Sequence, residues 1–376
     1  LIVNVMLFQL IREAISGKYR VKVITATLIL FAAPFIISWF EIDHLPASDN
    51  VAKASYNVII VQPNIDPYNE KFDINSFSSQ LGMMISLSEK QLDTNTVLVI
   101  WPETALSIAI RQDEIEKSPL YKPVFDFVNR HPQLTLLTGI ETFKVYGSDK
   151  ATPSAQLDKN SGIYYDDLNA AVSIKSGAPL LFYTKGKLVP GVETLPDFLK
   201  WMAPVFEQFG GTAGGYAHSD SSSVFAEPGE PFITAPLICY ESIYGEYVST
   251  YVQKGANLLT IITNDGWWKN TPGHQQHLHY ACLRAIETRR YVARSANTGI
   301  SAVINEKGQI LESQPWDKAS YIKTNIPMLT NITFYVKWGD MISKAALIMC
   351  LLLIVFHLYL QLKNMERRLL QKRRSI

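Results

Sequence analysis

The chain has 376 residues, and its 35 Lys and Arg against 34 Asp and Glu give a formal net charge of +1. This balance argues against a nucleic-acid binder, which would carry a basic face. Hydrophobic residues make up 47% of the chain, a high fraction for a soluble protein, and the longest apolar stretches lie near the two ends. The length allows two or three domains.

Two apolar stretches predict transmembrane helices. Residues 23–40 (VITATLILFAAPFIISWF) carry no charge, and Lys344 is the charged residue within the stretch 341–360. About 20 apolar residues suffice to cross the hydrocarbon core of a bilayer. We therefore assign residues 21–40 and 341–362 to transmembrane helices. The alternative interpretation is a pair of buried core helices.

The charges that flank these two segments are asymmetric. Basic residues lie before the first segment and after the last one: Arg12, Lys18, Arg20, Lys22, Lys363, Arg367, Arg368, Lys372, Arg373 and Arg374. Acidic residues follow the first segment: Glu41, Asp43 and Asp49. The positive-inside rule then puts both chain ends in the cytoplasm, with 363–376 as a basic cytoplasmic tail, and the middle of the chain on the outer side. The chain begins at Leu1 with ten mainly apolar residues and no signal-peptide pattern, so we expect residues 1–16 to end a preceding membrane segment of a multi-pass protein.

The region 55–330 alternates strand and helix patterns and is predicted to be one catalytic domain. Strands are predicted at 56–61, 96–101, 134–138, 169–174, 180–183, 232–239, 257–263, 300–304 and 309–312. Helices are predicted at 77–92, 120–130, 244–253 and 278–293. Apolar strands alternating with helices imply an α/β fold whose sheets are covered on both faces. Two packed sheets with helices outside would accommodate about 275 residues.

Two stretches are predicted to be irregular, at 146–165 and 203–223. The glycines at 210–215 are not followed by the Lys-Ser/Thr of a phosphate-binding P-loop. The aromatic residues Trp201, Phe206 and Phe209 instead favour a flexible loop that dips toward lipid. An ordinary surface loop is the alternative.

Three reactive side chains follow apolar runs in the middle region. Glu103 ends the run 98–103 (LVIWPE), Lys185 follows 180–183 (LLFY), and Cys239 follows 236–238 (PLI). Open α/β sheets place their ligand crevices at strand ends. A base, a cation and a soft nucleophile gathered at such a crevice predict acyl-transfer chemistry.

The reference pKa values show why these three residue types belong together. A free thiol titrates near 8.5 and a free Glu near 4.3, so proton transfer from Cys239 to Glu103 is uphill by about 4 units, or roughly 6 kcal/mol. Burial of Glu103 and an ammonium beside Cys239 would narrow that gap. The same ammonium, on Lys185, would then stabilise an oxyanion at the attacked carbonyl.

Each residue alone has a plainer interpretation. Cys239 fits a buried core thiol or a disulfide with Cys282. Glu103 fits a helix cap or an ion pair, and Lys185 fits a surface lysine. The histidines His274, His277 and His279 do not have the spacing of a zinc site, so we expect loop or helix-start residues and no metal.

Several short motifs carry a resemblance to a known family. They are VQPNI at 61–65, WPE at 101–103, YTK at 183–185, LVP at 188–190, ICYE at 238–241, TNDGW at 263–267, RAIE at 284–287 and NTGIS at 297–301. With them the chain resembles the nitrilase superfamily of carbon–nitrogen hydrolases. Within that superfamily it is similar to the apolipoprotein N-acyltransferases, to which the flanking apolar segments and the NTGIS motif point.

The resemblance implies a nitrilase-like αββα sandwich flanked by transmembrane helices. It also implies catalytic roles for three residues. Glu103 matches the general base, Lys185 the oxyanion-stabilising cation and Cys239 the nucleophile.

Five further positions match functional residues of the family. Glu193 corresponds to a further essential glutamate, although 190–193 is PGVE here where the family usually has PFGE. Tyr240 and Glu241 match functional positions beside the nucleophile. Phe72 occupies the place of a common tryptophan near the lipid entrance, and Trp267 is the second expected substrate-binding aromatic residue.

The function implied is transfer of an acyl chain from a phospholipid, through a thioester on Cys239, to the α-amine of a diacylglyceryl-cysteine at a lipoprotein N-terminus. No cofactor is expected. The expected location is the bacterial inner membrane, with the catalytic domain on the periplasmic or outer side. The alternatives are a membrane-tethered nitrilase-type amidase that hydrolyses a C–N bond and a catalytically silent binding module.

Overall fold

A computed structural model describes residues 2–17, 21–43, 55–195, 201, 215–230 and 232–374. Its contacts divide the chain into two units, Leu1–Val51 and Ala52–Ile376. The first unit contains the helices α1 (Ile2–Ile15) and α2 (Val21–Asp43). Most of the apolar side chains of α2 are exposed.

The second unit is built on two β-sheets. Its strands are β1 (Ser55–Gln62), β2 (Thr96–Ile100), β3 (Leu106–Arg111), β4 (Thr135–Gly147), β5 (Gln156–Asp158), β6 (Ile163–Lys175), β7 (Leu181–Thr184), β8 (Thr234–Ile238), β9 (Leu258–Thr263), β10 (Tyr291–Ala296), β11 (Ala302–Ile304), β12 (Ile310–Ser313) and β13 (Ser320–Pro327). Within the described residues the eight-stranded sheet has the order β13-β1-β2-β4-β6-β5, with β3 paired to β4 and β7 to β6. The five-stranded sheet has the order β12-β11-β10-β9-β8.

Side-chain alternation along the strands produces four layers. On β1, Val58 and Ile60 join the core that contains the second sheet, whereas Ile59 and Val61 pack with the helices α3 (Ile74–Glu89) and α4 (Lys122–Arg130). Successive residues of a strand face opposite sides of a sheet, so the first sheet is covered by helices on one face and by the other sheet on its second face. The helices α5 (Gly245–Gln253) and α6 (Pro272–Thr288) join the core of the second sheet. The predicted α/β sandwich is confirmed.

The chain ends in the short helix α7 (Phe334–Trp338) and the long helix α8 (Met341–Arg374). The Lys344 ammonium at the start of α8 lies 2.9 Å from the Glu246 carboxylate of α5. Two segments, Val21–Phe40 and Met341–Met365, are long and apolar enough to cross a membrane, and almost none of their residues are buried within the protein. These helices are consistent with membrane association.

The prediction of a helix over 278–293 is wrong at its C-terminal end. The helix α6 ends at Thr288, because Arg289 takes a left-handed conformation with φ 52°. The next residues form β10, which pairs in parallel with β9 and antiparallel with β11. A strand buried on both faces has no polar alternation, so its apolar residues also fitted a helical spacing.

The prediction of irregular structure over 146–165 is confirmed for residues 148–155 and 159–162, and it is wrong at both ends and at 156–158, which lie in strands. The strand β4 continues to Gly147 and pairs with the start of β6, and β5 adds an edge strand. The side chains here are polar because this end of the sheet is partly exposed. Of the loop predicted at 203–223, residues 203–214 lie outside the described residues, and 215–223 contain no helix or regular strand. The flanking residues Lys18, Arg20 and Asp49 also lie outside the described part.

Candidate active site

Cys239 begins a tight turn at the end of β8. Its φ is 50°, in the left-handed region that a residue with a Cβ rarely adopts. The Cys239 carbonyl accepts a hydrogen bond from the Ser242 hydroxyl at 2.8 Å and lies 3.1 Å from His277 Nε2. These contacts hold the backbone in its unusual conformation. The side chain is largely buried.

Glu103 is the third residue after β2, and its carboxylate is buried among three hydrogen-bond donors. Its Oε1 accepts hydrogen bonds from Lys185 Nζ at 3.0 Å and Asn169 Nδ2 at 2.9 Å, and its Oε2 accepts one from the Asn264 backbone N–H at 3.1 Å. Gly139 of β4 passes so close that an added Cβ would lie 2.6 Å from the Cα of Glu103. Only glycine fits there without moving the carboxylate.

Lys185 comes directly after β7 and is held between two carboxylates. Its backbone N–H donates to the Asn169 carbonyl at 2.9 Å, which continues the β6–β7 pairing. Its ammonium donates to Glu103 Oε1 at 3.0 Å and to Glu193 Oε1 at 2.7 Å. Glu193 is fixed in turn by a hydrogen bond of 2.8 Å from the Val189 N–H to its Oε2. The structure therefore brings Glu193 into the same cluster as Glu103 and Lys185.

The three central groups act on one another electrostatically. Burial alone would raise the pKa of Glu103, but the Lys185 ammonium and the Asn169 amide outweigh it and hold that pKa below its usual range. Burial would lower the pKa of Lys185, yet the two carboxylates raise it well above normal. Burial and the Glu103 carboxylate raise the pKa of Cys239, and the Lys185 ammonium opposes them. The free site thus holds a neutral thiol beside an ionised Glu103–Lys185 pair.

Glu241 connects the Cys239 turn to the Lys185 loop. Its Oε2 accepts a hydrogen bond from the Ile238 N–H at 2.7 Å, and its Oε1 accepts one from the Gly186 N–H at 2.6 Å and another from the Tyr183 hydroxyl. The side chain is fully buried, and burial raises the pKa of Glu241 to about 7. These contacts tie the Cys239 turn to the Lys185 loop.

Tyr240 and the histidines that were considered as zinc ligands have different contacts. The Tyr240 ring packs edge-to-face on Tyr244, with ring centroids 5.4 Å apart. His274 stacks on Trp316 at 4.2 Å. His277, in the second turn of α6, bridges the Cys239 turn to Asp265, with its Nδ1 2.9 Å from Asp265 Oδ1. His277 is therefore a buried residue near the start of a helix, as one of the two predicted alternatives had it, and it supports the Cys239 turn.

A cavity of about 400 Å³ opens on Glu103. Its polar walls are formed by Glu103, Glu141, Asn169, Glu193 and Tyr216, together with Thr104 and Val192. Its rim is aromatic: Tyr68, Phe72, Trp267 and Trp268, each between 37% and 54% exposed. Both predicted aromatic residues, Phe72 and Trp267, are part of this rim.

A second, larger cleft of about 660 Å³ lies at Lys187, Tyr244 and Lys344. None of Glu103, Lys185 and Cys239 lines it. Glu103 lines the smaller cavity, and Lys185 and Cys239 lie behind its wall, in electrostatic contact with Glu103, so the smaller cavity is the candidate substrate site.

The polar residues Lys71, Asn169 and Glu141 around Glu103 were not found from the sequence. The buried Lys71 ammonium donates to the Glu103 carbonyl at 2.9 Å, and burial lowers the pKa of Lys71 to about 8. Asn169 donates a hydrogen bond to Glu103, and Glu141 lies directly opposite Asn169 in the β4–β6 pair. A polar Asn inside the apolar run of β6 was the available signal for Asn169. The cysteines Cys239, Cys282 and Cys350 are free, which removes the disulfide alternative.

Comparison with known proteins gives the family. The model of the carbon–nitrogen hydrolase family matches residues 57–331. The chain is 32% identical over 354 residues to an apolipoprotein N-acyltransferase of Chlorobaculum tepidum, covering 92% of the chain and 64% of that protein. It is 31% identical over 299 residues to the apolipoprotein N-acyltransferase of Rickettsia typhi, covering 79% of the chain and 54% of that protein. The chain thus spans less than two thirds of the length of these relatives.

The fold is also shared with a solved structure. An amidase from Nesterenkonia sp. superposes with a TM-score of 0.50 at 14% identity, covering 78% of the chain and 97% of the amidase. At this identity the likeness concerns the fold alone. From the match of the family model over most of its length, the chain belongs to the carbon–nitrogen hydrolase family.

Proposed function

We propose that the protein is an N-acyltransferase that moves an acyl chain from a phospholipid to the α-amine of the N-terminal diacylglyceryl-cysteine of lipoproteins. The observation that carries this proposal is the buried Glu103–Lys185 ion pair beside the Cys239 thiol. The similarity to apolipoprotein N-acyltransferases over most of the chain supports the same reaction. The amidase alternative is not favoured by these relatives.

In the first half-reaction Glu103 is the general base and Cys239 the nucleophile. The thiol proton passes to the Glu103 carboxylate while sulfur attacks the ester carbonyl of the phospholipid. The negative charge that develops on the carbonyl oxygen is stabilised by the Lys185 ammonium, which is preorganised by its two carboxylate partners. The C–O bond then breaks, Glu103 returns its proton to the departing lysophospholipid, and a thioester remains on Cys239.

In the second half-reaction a free amine attacks the thioester carbonyl. A C–N bond forms, the C–S bond breaks, and a proton of the amine returns to the Cys239 sulfur through Glu103. The products are an amide and the free thiol. Water in place of the amine would release a fatty acid instead, which is the reaction of the rival hydrolase.

The surroundings of the cavity support a substrate that arrives from a bilayer. The rim residues Phe72 and Trp267 present apolar rings to solvent, as side chains at a membrane interface do. The apolar helices α2 and α8 provide the means to hold the enzyme in a membrane. We place it in the bacterial inner membrane as a multi-pass protein, with the catalytic domain on the periplasmic or outer side and the lipid bilayer and lipoprotein as its partners.

The roles of the supporting residues follow from their contacts. Glu193 shares the Lys185 ammonium with Glu103, so it orients that cation. Glu241 fixes the distance between the Cys239 turn and the Lys185 loop. Tyr240 directly follows Cys239 in the turn, and from this position we propose that it also helps to hold the nucleophile in place.

The donor half-reaction is tested by intact mass. The full-length protein is incubated with a phospholipid of defined acyl chains in detergent micelles, and an increment of one acyl chain is expected. Cys239→Ala is expected to lose the increment, whereas Cys282→Ala, which removes the half-buried thiol of α6, retains it. An increment that persists in Cys239→Ala, or none in the wild type, contradicts the proposal.

A further inference from the structure

Glu141 is a buried carboxyl group that the reaction described above does not use. It lies on β4 and lines the cavity together with Glu103, and 7% of the residue is exposed. Among the residues that the structure describes, its carboxyl group makes no hydrogen bond. A buried carboxyl group without a partner is costly, so its place in the wall of a substrate cavity calls for a ligand.

The neighbouring strand presents a second acceptor without a donor. Asn169 of β6 lies directly opposite Glu141 in the antiparallel register, so the two side chains stand on the same face of the sheet. The Nδ2 of Asn169 donates to Glu103 at 2.9 Å. Its Oδ1 is buried and has no hydrogen-bond partner within the described residues. The cavity wall therefore holds an unused carboxyl group beside an unused amide oxygen.

The chemistry of these two acceptors selects the ligand. Both accept hydrogen bonds, and one is able to carry a negative charge. A primary ammonium offers up to three N–H donors and a positive charge, which matches an amide oxygen next to a carboxylate. The acyl ester group that reacts in the first half-reaction has no N–H or O–H, so it has no hydrogen bond to give this pair.

We propose that Glu141 and Asn169 form the subsite for the acceptor amine, with Glu141 taking the first proton from the incoming ammonium. This assignment rests on the proposed acyl transfer and adds to it the residue that prepares the nucleophile. The ammonium gives one proton to the Glu141 carboxylate and becomes a free amine. The amine attacks the thioester carbonyl, and its second proton passes through Glu103 to the Cys239 sulfur, so that the amide keeps one N–H.

The protonation of the two carboxyl groups supports this division of labour. Burial and the Glu103 carboxylate raise the pKa of Glu141 to about 8, whereas that of Glu103 is held below its usual range. An α-ammonium titrates at about 8, and its positive charge beside Glu141 lowers the pKa of that carboxyl group, so the bound pair is an ammonium and a carboxylate that is able to accept its proton. The side chains that act on Glu141 come from several elements: Glu103, Lys71, Glu193, Asp167, Tyr121 and Tyr216.

The test separates the two half-reactions in the variant Glu141→Gln. The wild-type and variant proteins are loaded with the acyl group from a phospholipid and then mixed rapidly with a synthetic diacylglyceryl-cysteine peptide that has a free amine. We expect loading rates within about threefold of each other and amide formation at pH 7 slower by a factor of about 10 in the variant, because about one tenth of an amine with a pKa of about 8 is free at that pH. Normal loading also shows that the variant is folded.

The pH profile distinguishes proton transfer from a structural role. In Glu141→Gln the amine has to lose its proton to solvent, so the acid limb of the amide-forming rate should move to higher pH, and the defect should shrink above pH 8. Glu141→Asp should recover part of the rate at pH 7. Equal slowing of loading and transfer, or an unchanged acid limb, would overturn the assignment of Glu141. Absence of a thioester in the wild type would overturn the proposed function itself, and the subsite with it.

Discussion

The two sides of the Cys239 turn are built in different ways. Behind the turn, polar groups are matched to protein partners: Glu241 accepts hydrogen bonds from both adjoining loops, and both ring nitrogens of His277 are in contact with polar atoms. Toward the cavity, Asn169 Oδ1 lacks a donor and the Glu141 carboxyl group makes no hydrogen bond among the described residues. The paired side fixes geometry, whereas the unpaired side is left for substrate.

The largest expected effect comes from removing the cation that joins the two sides. Lys185→Met leaves Glu103 and Glu193 without their shared ammonium and removes the charge that we propose stabilises the oxyanion. We expect thioester formation to fall by about 10³-fold or more. Lys187→Met, which removes a partly exposed lysine two residues along, is the matched control and should load normally. A Lys185→Met rate within tenfold of wild type would contradict the role given to Lys185.

The variant Glu241→Gln disrupts the hydrogen bonds on the paired side of the Cys239 turn. The new amide keeps one acceptor oxygen and turns an NH₂ group toward a backbone donor, so at least one buried N–H loses its partner. We expect loading to slow by about 10- to 100-fold and the free energy of unfolding to fall by about 1–3 kcal/mol. Glu227→Gln, at a buried carboxylate bonded to Ser173, should lose comparable stability without the loss of rate. Equal rates in both variants would show that Glu241 does not position the nucleophile.

The smallest expected effect is on stability as a function of pH, and it concerns the unpaired side. In the unfolded chain a Glu titrates near 4.3, whereas burial raises the pKa of Glu141 to about 8 in the folded protein. The protonated carboxyl group therefore favours folding below about pH 4.3, and this contribution is lost as the pH rises to about 8. The Tm of Glu141→Gln in micelles should gain on that of the wild type by about 3 °C or more between pH 5 and 8. A difference that stays constant over this range would place Glu141 in an ordinary polar environment.

The sequence predicted the parts of the site that lie at the ends of apolar strands. Glu103, Lys185 and Cys239 each follow such a run, and strand ends converge at one edge of a sheet. The sandwich followed from the alternation of apolar strands with helices. Glu193 and Glu241 came from the resemblance, and their contacts give them physical roles.

The residues that the sequence did not reveal depend on strand pairing. Glu141 and Asn169 are 28 residues apart and meet only through the register of β4 and β6. Lys71 contacts Glu103 only through tertiary packing, and no local sequence pattern predicts this contact. Strand β10 was missed for a related reason. It is buried on both faces, and such a strand lacks the alternation of polar and apolar residues by which strands are recognised in a sequence.

We propose above all that Cys239 carries an acyl group from a lipid to an amine. The most direct measurement follows the preformed Cys239 thioester after addition of the diacylglyceryl-cysteine peptide and assays by mass whether the acyl chain leaves as amide or as free fatty acid. We expect the thioester to persist in buffer alone and to be discharged to the amide when the peptide is added. Release mainly as free fatty acid, at a rate that the peptide does not change, would contradict it.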